Sequence, residues 1–201
     1  MERKEIQEQR MRGYFIDATK QLLRAEGLRS VNVRAIAEKA GYSYATLYNY
    51  FRDAKDLVFE CVKDFQDECV EFVDKETSRE RTRGIGKIKM RVRAYMKFFV
   101  QYPGIFDLFF LERMSDIRNK QPTVELICSF LDRICGDEWA YCVAEGILTR
   151  QDAEEAQHEL RAAVGGLLLF YLNRGRPETY REFTALSAGI LDRILDRTHR
   201  G

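Results

Sequence analysis

Between Ser43 and Lys55 the run SYATLYNYFRDAK carries side chains suited to hydrogen bonding rather than to covalent chemistry. Unrolled as a helix at about 100° per residue, it places Leu47 and Phe51 on one side, where they must pack inward. Ala45, Thr46 and Asn49 fall on the opposite side, with Tyr48 and Tyr50 at the boundary. A helix built to be covered would carry Leu or Val there, and one built for solubility alone would carry Glu and Lys. A small, polar and aromatic face suits the major groove of DNA. Asn49 can read a base edge, Thr46 a base edge or a phosphate, and the tyrosine hydroxyls can donate to phosphates.

Other chemistries find little support. The chain has five Cys and two His, with no CxxC pair, no HExxH and no glycine-rich phosphate loop, so no catalytic residue, metal or cofactor is expected. Cys128, Cys135 and Cys142 recur every seven residues and would share a face if one helix ran through them. Metal or redox use is one reading of that spacing, and core packing as small apolar residues is the stronger one. His158 sits among charged residues, off any apolar stripe, and reads as solvated.

The reading face needs elements to hold it. Asn32 can cap a helix in which Val33, Ile36, Ala37 and Ala40 recur at helical spacing. Gly41 ends that helix, and Ser43 can cap the next, Tyr44–Tyr50, which makes a helix-turn-helix. A preceding helix from about Glu5 to Glu26 can cover both with Phe15, Thr19, Leu22 and Leu23. Its basic arm, with Lys4, Arg10 and Arg12, either brushes the DNA backbone or is a solvated, frayed end. Asp53 can cap a long helix with Leu57, Val58, Cys61, Phe65, Cys69, Phe72 and Val73 on one stripe, a natural lever for the reading helix.

The stretch resembles the N-terminal signature of the TetR family of bacterial one-component transcriptional regulators. Ile16, Ala18 and Gly27, then Val33, Ile36, Ala37, Ala40, Gly41, Ser43, Thr46, Leu47, Tyr48, Tyr50, Phe51 and Leu57 carry the resemblance. Three positions depart from it. Ala45 stands where the family usually has Gly, Tyr44 where it often has a basic residue, and Ala54 where it usually has a phosphate-contacting Lys that Arg52 or Lys55 would have to replace. The resemblance implies an all-α fold: a three-helix DNA-binding domain over residues 1–53 and a larger helical effector-binding and dimerisation domain over 54–201. It also implies a homodimer on a palindromic double-stranded DNA operator. Asn32, Arg34, Ser43, Tyr44, Ala45, Thr46, Tyr48, Asn49, Tyr50 and Lys55 are then the DNA-contacting candidates.

The rest of the chain continues in helices. Thr77–Gly86 and Glu112–Gln121 read as loops, with helix from Lys87 to Gln101 between them. Tyr95, Phe99, Phe106, Phe110, Phe130 and Trp139 form an aromatic set that either lines a pocket for a small apolar or aromatic effector or is plain core. Thr149 and Asp152 resemble a capped start for a helix running to Asn173, whose run Ala162–Tyr171 is apolar nearly all round and must be covered on every side. It and the last helix resemble the family's dimerisation elements, with Gly166, Leu167, Phe170, Phe183, Leu186, Ile190 and Ile194 at the interface. At 45% apolar and 32% charged the chain is globular, and a net charge of +1 confines DNA binding to a local patch including Arg29, Arg34, Arg52 and Lys55. No apolar run reaches the roughly 20 residues of a membrane span and no signal peptide is evident, so a cytoplasmic protein is expected. The expected role is a ligand-responsive repressor. The alternatives are a thiol-switched regulator or, further off, a carrier or enzyme on the helical domain.

Overall fold

The structure is a computed structural model that describes residues 3–111 and 121–197, with only the backbone described for 121–124 and 197. Among the described residues there is no strand. The helices are α1 (Arg3–Glu26), α2 (Val33–Ala40), α3 (Tyr44–Tyr48), α4 (Ala54–Thr77), α5 (Ile85–Gln101), α6 (Pro103–Phe106), α7 (Gln121–Cys128), α8 (Phe130–Ile134), α9 (Gly136–Ala144), α10 (Arg150–Arg174) and α11 (Tyr180–Arg197). A 3-10 turn, Leu28–Ser30, precedes α2, and a π-helical turn, Asp107–Leu111, follows α6. None of these helices is long and apolar enough to cross a membrane.

The chain packs as two compact units, Met1–Glu68 with Tyr102–Thr123, and Cys69–Gln101 with Val124–Gly201. This partition cuts through α4 and returns α6 to the first unit, unlike a single cut at residue 53. In the first unit Phe15, Ala18 and Leu22 of α1 close over Ile36, Ala37, Leu47, Phe51 and Leu57 in one buried cluster. Each fully buried Phe, Leu or Ile side chain among them contributes about 1.5–3 kcal/mol. Along the outside of the same unit, Arg12, Lys20 and Arg24 of α1 face Glu60, Asp64 and Glu68 of α4. Lys20 Nζ lies 3.1 Å from Asp64 and 2.7 Å from Glu68, and Arg24 also pairs with Glu68. Burial pulls the Lys20 ammonium down, but its hydrogen bonds to the two carboxylates outweigh that and leave it raised. The end of α1 also receives α6. A Cβ on Gly104 would stand 2.8 Å from the Leu23 carbonyl oxygen, so only glycine allows this approach.

In the second unit α5 buries Ile88, Val92, Tyr95, Met96 and Phe99, and α10 buries Ala153, Ala156, Leu160, Val164, Leu167 and Leu168 at three- and four-residue steps. Glu138 of α9 is buried where it accepts from Arg83 Nε at 3.1 Å and from the Gly84 N–H at 2.7 Å. The capping box expected at Thr149 and Asp152 is present. The all-round cover expected for α10 is absent in the single chain, because its neighbours reach one stripe only. Leu169 stays 37% and Phe170 57% exposed. Helix α5 starts at Ile85, two residues before the expected Lys87, and the expected 112–121 loop lies outside the described residues except for Gln121, which opens α7.

Candidate nucleic-acid interface

Helix α2 begins where Asn32 Oδ1 accepts from the backbone N–H groups of Arg34 at 3.1 Å and Ala35 at 3.0 Å. It ends at Gly41, whose φ of 76° and ψ of 26° lie in the left-handed region and whose N–H returns to the Ala37 and Glu38 carbonyls. The chain turns there, and Tyr42 stacks on Tyr14 at 6.0 Å and tilts over Phe15 at 5.6 Å. Ser43 Oγ accepts the Thr46 N–H at 3.1 Å and lies 2.9 Å from the Thr46 hydroxyl.

The reading helix ends at Tyr48 rather than at the expected Tyr50. Asn49 is its C-cap, and the Tyr50 and Phe51 N–H groups both return to Leu47 O at 3.0 Å. The tightened last turn brings Phe51 into the core. Leu47 is 0% exposed, whereas Tyr44 is 59% and Tyr48 54% exposed, and Ala45 and Asn49 are exposed beside them. Thr46 and Tyr50 are half-buried, the Thr46 hydroxyl beside Ser43 and the Tyr50 ring 6.1 Å from Phe15. The structure thus brings Tyr44, Ala45, Tyr48 and Asn49 together on one open face, with Asn32, Arg34, Ser43 and Lys55 also exposed.

Two basic residues have other work. Arg12, expected in a loose arm, lies within α1, donates through Nη1 to Tyr50 O at 2.8 Å and stacks over Phe51 at 4.3 Å. It closes the C-terminal end of α3, where a positive charge offsets the helix dipole. It lies 38 residues from its acceptor, and no local pattern marks it. Arg52, a candidate to replace the missing Lys at Ala54, is held by Asp56 through Nε at 2.9 Å and Nη2 at 3.1 Å, and these bonds raise its already high pKa. Asp53 caps α4 as expected, accepting the Asp56 N–H at 2.9 Å.

The aromatic set of the expected effector pocket is divided between the units. In the second unit Tyr95 packs on Phe99 at 4.8 Å and on Phe130 at 5.8 Å, and Trp139 is buried along a cleft of about 430 Å³ between α9 and α10. In the first, Phe106 packs on Phe110 at 5.0 Å. Of the dimer candidates, Phe170 and Leu186 are exposed and Gly166 and Ile190 half-buried. Leu167, Phe183 and Ile194 are covered by their own chain, Phe183 lying 4.4 Å from the Tyr171 ring.

The cysteines do not share one continuous helix, because helical runs break at Ser129 and again at Cys135. Cys61, Cys69, Cys135 and Cys142 are buried and Cys128 is exposed. Burial pushes the Cys61 and Cys135 thiols up to about 12 and raises those of Cys69 and Cys142. No group of three or more His, Cys, Asp or Glu able to hold a metal ion occurs among the described residues.

Residues 15–61 match the family described as bacterial regulatory proteins, tetR family. No curated protein matches the sequence. Several solved structures share the fold. The fatty acid degradation regulator FadR from Bacillus halodurans is 20% identical, with a TM-score of 0.68 over 92% of this chain and 94% of that one. FadR from Bacillus subtilis, solved in complex with stearoyl-CoA, is 17% identical, with a TM-score of 0.71 over 90% and 96%. A TetR family transcription regulator from Marinobacter aquaeolei VT8 is 15% identical, with a TM-score of 0.64 over 95% and 97%.

Proposed function

We propose that the chain, whose residues 15–61 match the tetR family of bacterial regulatory proteins, is a transcription regulator of that family and a cytoplasmic repressor that binds a palindromic operator as a homodimer and lets go when a small apolar or aromatic effector binds. The observation that carries the reading is the split character of α3. Leu47 is wholly buried on one side, while Tyr44, Ala45, Tyr48 and Asn49 stand open on the other, ready for a major groove.

The homodimer is supported by α10 and α11. A second copy seated on Gly166, Phe170, Leu186 and Ile190 would cover apolar surface that the single chain leaves open, and its two-fold symmetry would match the two halves of a palindrome. The effector acts only through its unequal affinity for the DNA-binding and released states. The stearoyl-CoA held by the Bacillus subtilis FadR makes acyl compounds the first class to try.

The test is selection of random genomic fragments by the purified full-length protein, followed by titration of the best fragments at two salt concentrations against random competitor. Enrichment of a palindrome bound by two chains supports the reading. Enrichment of no motif, with binding equal to that of random DNA, overturns it.

A further inference from the structure

A cleft of about 270 Å³ lies in the second unit between α5 and the first turns of α11, with the end of α4 at its side. Its floor is apolar: Ala94, Met96 and Phe183 line it and are each at least nine-tenths buried. Its rim is charged. Lys97 Nζ is spent on Glu76 at 2.6 Å. Arg93 lines the same cleft, is exposed, and has no ion-pair or hydrogen-bond partner among the described residues. The Asp192 pKa is held down chiefly by its hydrogen bond to Lys89 at 2.8 Å and more weakly by the Arg93 charge, and Lys89 is shared with Asp196 at 2.7 Å. Among the lining residues Lys97 is paired with Glu76, and Arg93 is the cation whose guanidinium makes no ion pair or hydrogen bond among the described residues.

The hydroxyls around the cleft narrow the choice further. Ser187 donates to Thr184 O at 2.8 Å, Thr184 to Arg181 O at 2.9 Å and Thr77 to Val73 O at 2.9 Å, so none of them is spare as a donor. Arg93 and the phenol of the exposed Tyr180, whose ring stacks on Phe183 at 6.0 Å, remain for a ligand. The volume falls just below the roughly 300–1,000 Å³ of sites for drug-sized ligands. A long acyl chain with a large head group would not fit.

We infer that this cleft binds a small monocarboxylate with an apolar body, its carboxylate on Arg93 and its hydrocarbon on Met96 and Phe183. That the carboxylate is the effector of the regulator rests on the function proposed above. The binding itself does not.

The probe is octanoate, titrated calorimetrically into the full-length wild-type protein without DNA, with 1-octanol as the uncharged body and Arg93→Gln and Arg93→Lys as variants. Arg93 is exposed, so both variants should keep the wild-type circular dichroism spectrum. The expected result is one octanoate per chain, weakened at least tenfold by Arg93→Gln, partly restored by Arg93→Lys, and not matched by octanol. The methyl NMR signals of Met90 and Met96 should shift along the titration while that of Met11 stays. Equal binding of octanoate and octanol, indifference to Arg93→Gln, shifts that miss Met90 and Met96, or no saturable binding would each overturn the assignment. A failed DNA selection would remove the regulator and leave the site standing, whereas absent octanoate binding beside intact operator binding would remove the site alone.

Discussion

Single side chains on α3 divide into those that hold the helix and those that face outward, and substitutions should separate the two. Asn49→Ala removes the one exposed amide of the face, so it should cost roughly 1–3 kcal/mol on the selected site and relax base preference at one position. Tyr48→Phe removes the hydroxyl proposed to donate to a phosphate and should weaken specific and random DNA alike. Competition binding on both DNAs reads the difference, and equal losses for both variants would defeat the groove assignment. Leu47→Ala acts on the core instead and should cost about 2–5 kcal/mol of stability, measured by urea unfolding. At the cysteines the thiolate is the reactive form, and the Cys61 and Cys135 thiols, held near 12, are almost wholly protonated at neutral pH. A maleimide should therefore label exposed Cys128 at once in the native protein and the buried four only after unfolding, with the order read by mass spectrometry. Residue types told which groups could bond. They could not tell that Arg12 and Arg52 were already engaged, since those partners are set by packing and by the neighbouring carboxylate.

The helices themselves were the most legible scale. The caps at Asn32, Ser43, Asp53 and Thr149 are local chemistry, written within three residues of the groups they satisfy. Ser43→Ala should cost about 1 kcal/mol and, because the same hydroxyl neighbours Thr46, should also disturb the reading face. Thermal unfolding and operator titration of one variant measure both. The early end of α3 was not legible, because periodicity carries on through Tyr50 and Phe51 while the backbone tightens to bury the latter. Nor was the open side of α10. A run apolar nearly all round demands cover without saying whether its own chain supplies it.

At the scale of the molecule, helical periodicity along the chain agrees with the all-α class that the resemblance implies, but the boundary between units is not written in it. Helix α6 joins the first unit partly through an approach that only Gly104 permits, and nothing local to that glycine announces Leu23 as its neighbour. The proposed homodimer predicts that Phe170→Asp with Leu186→Asp yields a folded monomer by light scattering, with operator affinity reduced more than tenfold. A dimer of unchanged strength would place the interface elsewhere. The shortness of α3 matters here too. Five residues cannot sustain a helix in water, so its shape is on loan from Phe15, Ile36 and Leu57 beneath it. If the proposed repressor role holds, alleles from a genetic screen for loss of repression should accordingly fall in the interior as often as on the exposed face of α3, and the interior ones alone should regain function when the cells are grown cooler.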